Sequence, residues 1–238
     1  MPRFAQTGLK LWVLAGAVAL VLGVAGSPMA AAQQSLNLSV GGFVPRGDTG
    51  RADSDVLVGN ESFLAFNIKD FNTVSVGGEY LVGLGDFLEG GFGIGYQNRT
   101  VPSVYLDFVN SNGSEIEQDL KLRVIPMTAT IRFLPLGHHD AVTPYIGAGA
   151  GVFAWRYSET GEFLATDSSI FPATFVGSGT TTGPVILGGL RAPVSNWDLG
   201  FEIRYQAAKG DLPADQGFSG RQIDLGGFTY AFTANVKF

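Results

Sequence analysis

Hydrophobic and polar residues alternate with period two over eight stretches of this chain, the pattern of strands whose two faces meet different surroundings. In the last stretch, Asp224 to Phe238, Phe228, Tyr230, Phe232, Ala234, Val236 and Phe238 fall on one face. Gly227, Thr229, Ala231, Thr233, Asn235 and Lys237 fall on the other. Trp197 to Ala207 sets Leu199, Phe201, Ile203 and Tyr205 against Gly200, Glu202, Arg204 and Gln206. Thr73 to Leu84 and Phe87 to Asn98 read as a hairpin about Gly85-Asp86, with Glu79 and Glu89 opposite the apolar faces. Ser35 to Pro45, Pro144 to Tyr157 and Thr182 to Pro193 complete the simpler segments. In Pro144 to Tyr157, Ile146, Ala148, Ala150 and Val152 are assigned outward and Gly147, Gly149 and Gly151 inward, although both faces are small or apolar.

Asp119 to Phe133 changes phase. Leu120, Leu122 and Val124 take its apolar face before Pro126, and Met127, Ala129, Ile131 and Phe133 after it. A one-residue slip at a proline predicts a β-bulge, with Lys121, Arg123 and Arg132 all on the polar face. A second phase change is expected at Gly226-Gly227. The connections run long, short, long, short, long, short, long. Long ones cover 46–72, 99–118, 158–181 and 208–222; within the first, Ser62 to Phe71 reads as a short helix or a hairpin arm.

Eight strands with this rhythm predict an all-β fold, an antiparallel up-and-down barrel. Its polarity has two readings. In a soluble barrel, aromatics such as Phe92, Phe201 and Phe232 pack inside and the charges are solvated. In a transmembrane barrel with long extracellular loops and short periplasmic turns, the apolar stripes face lipid. Glu79, Glu89, Lys121, Arg123, Arg132, Glu202, Arg204 and Lys237 then pair across the lumen. Mixed charge signs on these faces suit the second reading, which is the one expected.

Composition narrows the classes. Residues 1–32 carry Arg3 and Lys10, an apolar run from Leu11 to Gly26, and Ala30-Ala31-Ala32 before Gln33. This reads as a cleaved export signal rather than a retained anchor. Its removal takes two basic residues and no acidic one, so the net charge of −6 becomes −8. No later stretch is apolar enough for a membrane-spanning helix. Cysteine is absent, which excludes disulfides and cysteine-metal sites. The acidic balance speaks against a nucleic-acid partner.

Candidate chemistry is sparse. The only histidines, His138 and His139, lie in a turn expected on the periplasmic side, so no Ser-His pair can form at the outer rim. Asn110 to Glu115 brushes a calcium-loop pattern ending at Asp119, but the first ligand position would be Phe108. Neither catalysis, a metal nor a cofactor is expected. The outer loops are acidic and contain apolar patches, at Phe63 to Phe71, Val101 to Val109 and Phe163 to Phe175.

PYIGAGAG at Pro144 to Gly151, WDLGFEIRY at Trp197 to Tyr205 and the terminal strand together resemble the small eight-stranded bacterial outer-membrane barrels, of the OmpA-barrel, OmpX and OmpW type. The resemblance implies the cell outer membrane as location, contact with its lipid and lipopolysaccharide, and a monomer. It also implies recognition of the closing strand, through Tyr230, Phe232, Val236 and Phe238, by the barrel-assembly machinery. Members of this class include anchors, adhesins, pores for small apolar solutes and a few lipid-modifying enzymes. A structural or interaction role without catalysis is expected here, a narrow channel for small hydrophobic molecules is the alternative, and a soluble periplasmic ligand-binding barrel is the third reading.

Overall fold

The computed structural model describes residues 33–137, 141–165 and 167–238. The expected export signal and the His138-His139 pair lie outside them. Eight strands close into one antiparallel barrel. They are β1 (Gln34–Pro45), β2 (Thr73–Gly83), β3 (Leu88–Val109), β4 (Glu115–Phe133), β5 (Thr143–Leu164), β6 (Ile170–Val194), β7 (Trp197–Gln206) and β10 (Gly227–Lys237). Between β7 and β10, a two-stranded ribbon is made by β8 (Lys209–Asp211) and β9 (Gln222–Asp224). The connection after β1 holds a short helix, α1 (Val56–Glu61), and a 3-10 turn at Ile68–Phe71. The first strand closes on the last, from Ser35 opposite Lys237 to Pro45 opposite Gly227.

The apolar stripes face outward. Val74 is 67% exposed, Ile146 65% and Phe232 70%, and with Leu38, Ile94, Ile131, Ile186 and Leu199 they belt the barrel. In water such a belt would be an unfavourable continuous apolar surface; facing lipid, it is what a strand-built membrane span needs. Closure also leaves no unpaired strand edge within the belt. The soluble reading, with these aromatics inside, is therefore overturned.

Two expectations need correction. First, β3 to β6 run 22, 19, 22 and 25 residues, against 10 to 12 for the other four. The stretches 99–118 and 158–181 are thus tall hairpins with tight turns rather than loops. Pro102 and Pro172 do not break them because each lies where its strand has one neighbour. The β2–β3 pairing stops at Ser75 and Gln97, and the β6–β7 pairing at Val185 and Gln206. A proline on such an edge removes no ladder bond.

Second, β4 has no bulge at Pro126. Ile94 stands opposite Met127 and Gln97 opposite Val124, so neither strand gains a residue. The even-numbered side chains point inward from Ile116 to Arg132 without a slip. What inverts is the surroundings. Below Pro126 the outer face is Met127, Ala129, Ile131 and Phe133. Above it the outer face is Glu115, Glu117, Asp119, Lys121 and Arg123, while Ile116, Leu120, Leu122 and Val124 are buried. The upper barrel stands in water and so has the polarity of a soluble protein. At Gly226-Gly227 there is likewise no phase change within a strand: β9 has ended and β10 begins.

The upper parts of β3 to β6 form an open trough. Its apolar floor of Leu120, Leu122, Val124, Phe153, Trp155 and Tyr157 is covered by Val56, Leu57, Leu64, Ile68 and Phe71 from the first connection and by Leu212, Ile223 and Leu225 from the last. This cap closes the extracellular mouth.

Candidate functional site: the occluded lumen

Within the belt, the lumen is too narrow for water to solvate isolated charges, so each needs a partner. Glu79 on β2, Arg132 on β4, and Glu202 and Arg204 on β7 converge on one another. The Arg132 guanidinium donates to both Glu79 and Glu202, at 2.9 Å for the latter. Arg204 lies 3.0 Å from Glu79 and 2.9 Å from Glu202. Thr130 adds a hydrogen bond to Glu79 at 3.0 Å, and Tyr145 one to Glu202 at 3.1 Å. The Arg132 guanidinium also lies 4.7 Å from the Tyr145 ring centroid. Two acids and two bases sum to zero, with Arg132 only 1% exposed.

Toward the periplasmic end, Arg191 on β6 pairs with Glu89 on β3 and approaches Asp198 on β7 at 3.8 Å, and Lys237 on β10 reaches Asp198 at 2.8 Å. This second quartet is also neutral. Glycine makes the packing possible: a Cβ at Gly91 would fall 2.5 Å from a Glu79 oxygen and 2.8 Å from the Thr130 hydroxyl. Gly91→Ala is therefore expected to disturb this hydrogen bond.

Six of the eight predicted lumen charges, Glu79, Glu89, Arg132, Glu202, Arg204 and Lys237, occupy these two layers. Lys121 and Arg123 do not. Both are exposed on the outer face of β4, because the strand keeps its phase through Pro126. Arg191, Asp198 and Tyr145 were missed; Asp198 shares the parity of Glu202 and Arg204 on β7, which was the available signal. On β10, Tyr230 and Phe232 are exposed on the outer face and Val236 partly so, and Phe238, just past the strand's end, is exposed as well.

Above the inner quartet lies a cavity of about 50 Å³, lined by Asn37, Ser75, Gln97, Thr128 and Gln206 among others. It has room for a few waters, and the buried Gln97 Oε1 has no protein partner. Above that, the cap is locked by polar contacts. Asp55 accepts from Leu57 N at 2.9 Å as the helix N-cap, pairs with Arg51 at 3.0 Å, and accepts from Asp224 N at 2.6 Å. Arg46 pairs with Asp224 at 2.9 Å. Asn60 of α1 donates to Glu159 at 2.6 Å and to Tyr157 OH at 3.1 Å, and Tyr157 donates to Glu159 at 2.9 Å.

Glu159 is 4% exposed and no ion pair to it is formed among the described residues. Burial raises its pKa above the ordinary 4.5, and the bonds from Asn60 and Tyr157 only partly offset that. Burial also raises Asp55, against the pull of Arg51. A carboxyl raised in the folded state contributes stability that is complete below its ordinary value and is lost as pH rises through the folded one. Amide-exchange protection of residues 56–61, corrected for intrinsic rates, is expected to fall as pH rises above 4.5. Glu159→Gln should weaken that dependence, leaving the part due to Asp55.

Among the described residues, no three His, Cys, Asp or Glu side chains are grouped so as to hold a metal. The Asn110–Glu115 segment is a hairpin turn, with Gly113 at φ +82° and Asn112 accepting from Ser114 N at 2.9 Å.

No protein-family model and no curated protein matches this sequence. Solved structures do match in fold. The outer membrane protein OprG from Pseudomonas aeruginosa aligns at 13% identity and a TM-score of 0.52, covering 87% of this chain and 96% of that one. Ail, the attachment invasion locus protein of Yersinia pestis, aligns at 13% identity and 0.45, covering 87% and 99%. Neisserial surface protein A aligns at 15% identity and 0.45, covering 87% and 97%. The fold of this chain is that of the small eight-stranded outer-membrane barrels, and with its exposed apolar belt the protein is an integral barrel of the outer membrane.

Proposed function

We propose that this outer-membrane barrel is a sealed, non-catalytic scaffold that presents a rigid cap at the cell surface for structural or interaction purposes. The observation that carries the reading is the double closure of the lumen. Two charge-neutral quartets fill the membrane-spanning part, and an apolar cap of α1 and the β8–β9 ribbon fills the mouth. Glu79 and Glu202 each bind two guanidiniums, which leaves neither free to act as a base. The outward aromatic face of β10 is the surface offered to the assembly machinery, and the barrel acts as a monomer in lipid.

Conductance in planar bilayers tests this. Purified protein is expected to leave the bilayer sealed, and deletion of residues 46–72 is expected to leave it sealed too, because the quartets remain. A stable ohmic current through the unmodified protein would instead favour the narrow-channel reading, in which the cap and the quartets rearrange.

A further inference from the structure

Arg123 on β4 and Arg156 on β5 are direct cross-strand neighbours on the outer face, with Lys121 one outward position above Arg123. All three are exposed, and no side-chain hydrogen bond or ion pair is formed by any of them among the described residues. Two like charges held opposite each other on neighbouring strands repel, so the arrangement is unfavourable without a counter-charge. The flanking outward positions are neutral donors: Asn98 and Thr100 on β3, Ser158 on β5 and Ser178 on β6. The protein is otherwise acidic, and the next outward residues up β4 are Asp119, Glu117 and Glu115. The triad is a local reversal of sign.

Its height identifies the anion. The next outward positions below Arg123 are Ile125 and Met127, and Ala154 and Val152 lie below Arg156. Two strand residues span roughly 6–7 Å, which sets the guanidiniums just above the acyl region, at headgroup level. An anion arriving from solution must pass the acidic upper face, whereas a lipid phosphate reaches the triad by sideways diffusion. Arginine presents a planar fork that matches phosphate oxygens.

We infer that Lys121, Arg123 and Arg156 form a binding site for the phosphate of an outer-leaflet lipid. The site does not depend on whether the lumen conducts.

The test uses the mature chain folded into phosphatidylcholine vesicles containing a minor fraction of either diphosphoryl lipid A or the same lipid fully dephosphorylated. Lipid retained after detergent extraction is measured by native mass spectrometry. The wild type is expected to retain the phosphorylated form about tenfold better, from charge-assisted hydrogen bonds. Lys121→Gln/Arg123→Gln/Arg156→Gln should abolish that preference. In pure phosphatidylcholine the triple variant is expected to unfold no more easily than the wild type, since repulsion is relieved and only exposed groups change. Equal retention of both lipids by the wild type, or an undiminished preference in the variant, overturns the inference. Displacement of the lipid by inorganic phosphate or a soluble sulfated polysaccharide at matched charge concentration overturns it as well, by making the site one for dissolved anions.

Discussion

Replacing Arg132 with methionine is expected to destabilise the barrel by about 3–5 kcal/mol, the usual consequence of removing one partner from a buried ion pair. Arg132 is the shared donor of the inner quartet. Without it, Glu79 and Glu202 face a single remaining base, Arg204, beside a cavity of about 50 Å³. The predicted companion result separates charge from packing. Adding Glu79→Gln to Arg132→Met restores neutrality and leaves the Glu202–Arg204 pair in place, so the double variant should recover part of the loss. Unfolding in urea, followed by heat-modifiable migration on a gel, measures both, and the double-mutant cycle isolates the pair. Additive losses would contradict direct coupling of Glu79 to Arg132.

The second large effect lies on β4 and distinguishes its two halves. Ile131 is 59% exposed below Pro126, and Ile131→Arg is expected to cost about 2 kcal/mol, between the midplane and interface values for a lipid-facing arginine. Leu122 is 7% exposed above Pro126 and packs in the cap cluster, so Leu122→Ala is expected to cost about 2–5 kcal/mol of cap stability. Limited proteolysis of residues 46–72 reads the second change without unfolding the barrel. The mirror pair, Ile131→Ala and Arg123→Ala, should produce small changes. A harmless Ile131→Arg would mean that this face never meets lipid.

Much of this was legible in the chain. Period-two alternation located all eight barrel strands, and strand parity assigned Glu79, Glu89, Arg132, Glu202, Arg204 and Lys237 to the lumen. The errors share one physical origin. Alternation reports that the two faces of a strand differ, but not what lies beyond each. Along β4 the apolar residues switch from even to odd positions at Pro126, and a slip in register is the natural reading if the solvent is taken as constant. The solvent is not constant: acyl chains surround Ile131, and the hydrated headgroup layer and the water above it surround Arg123 and the outer face beyond it. The same inversion made the tall hairpins β3–β4 and β5–β6 look like loops, because their upper halves lack lipid-facing stripes. The cap was less visible still. The apolar residues at Phe63 to Phe71 and Val101 to Val109 were recognisable, but their burial depends on a trough formed by strands distant in sequence. Arg191 shares the parity of the inward Val185 and Leu187 but was not connected to Glu89 on β3, since nothing local to β6 signals that partner.

The polarity of β4 inverts at Pro126 while its phase does not. The chain contains no cysteine, so single cysteines can carry nitroxide labels without a background to remove. Labels at positions 117, 121, 127 and 131 in lipid vesicles, with electron paramagnetic resonance accessibility to oxygen and to a water-soluble nickel chelate, measure the surroundings of the outer face directly. High oxygen and low nickel accessibility at 127 and 131, with the reverse at 117 and 121, is the predicted result. Lipid-like accessibility at 121, or water-like accessibility at 131, would contradict it.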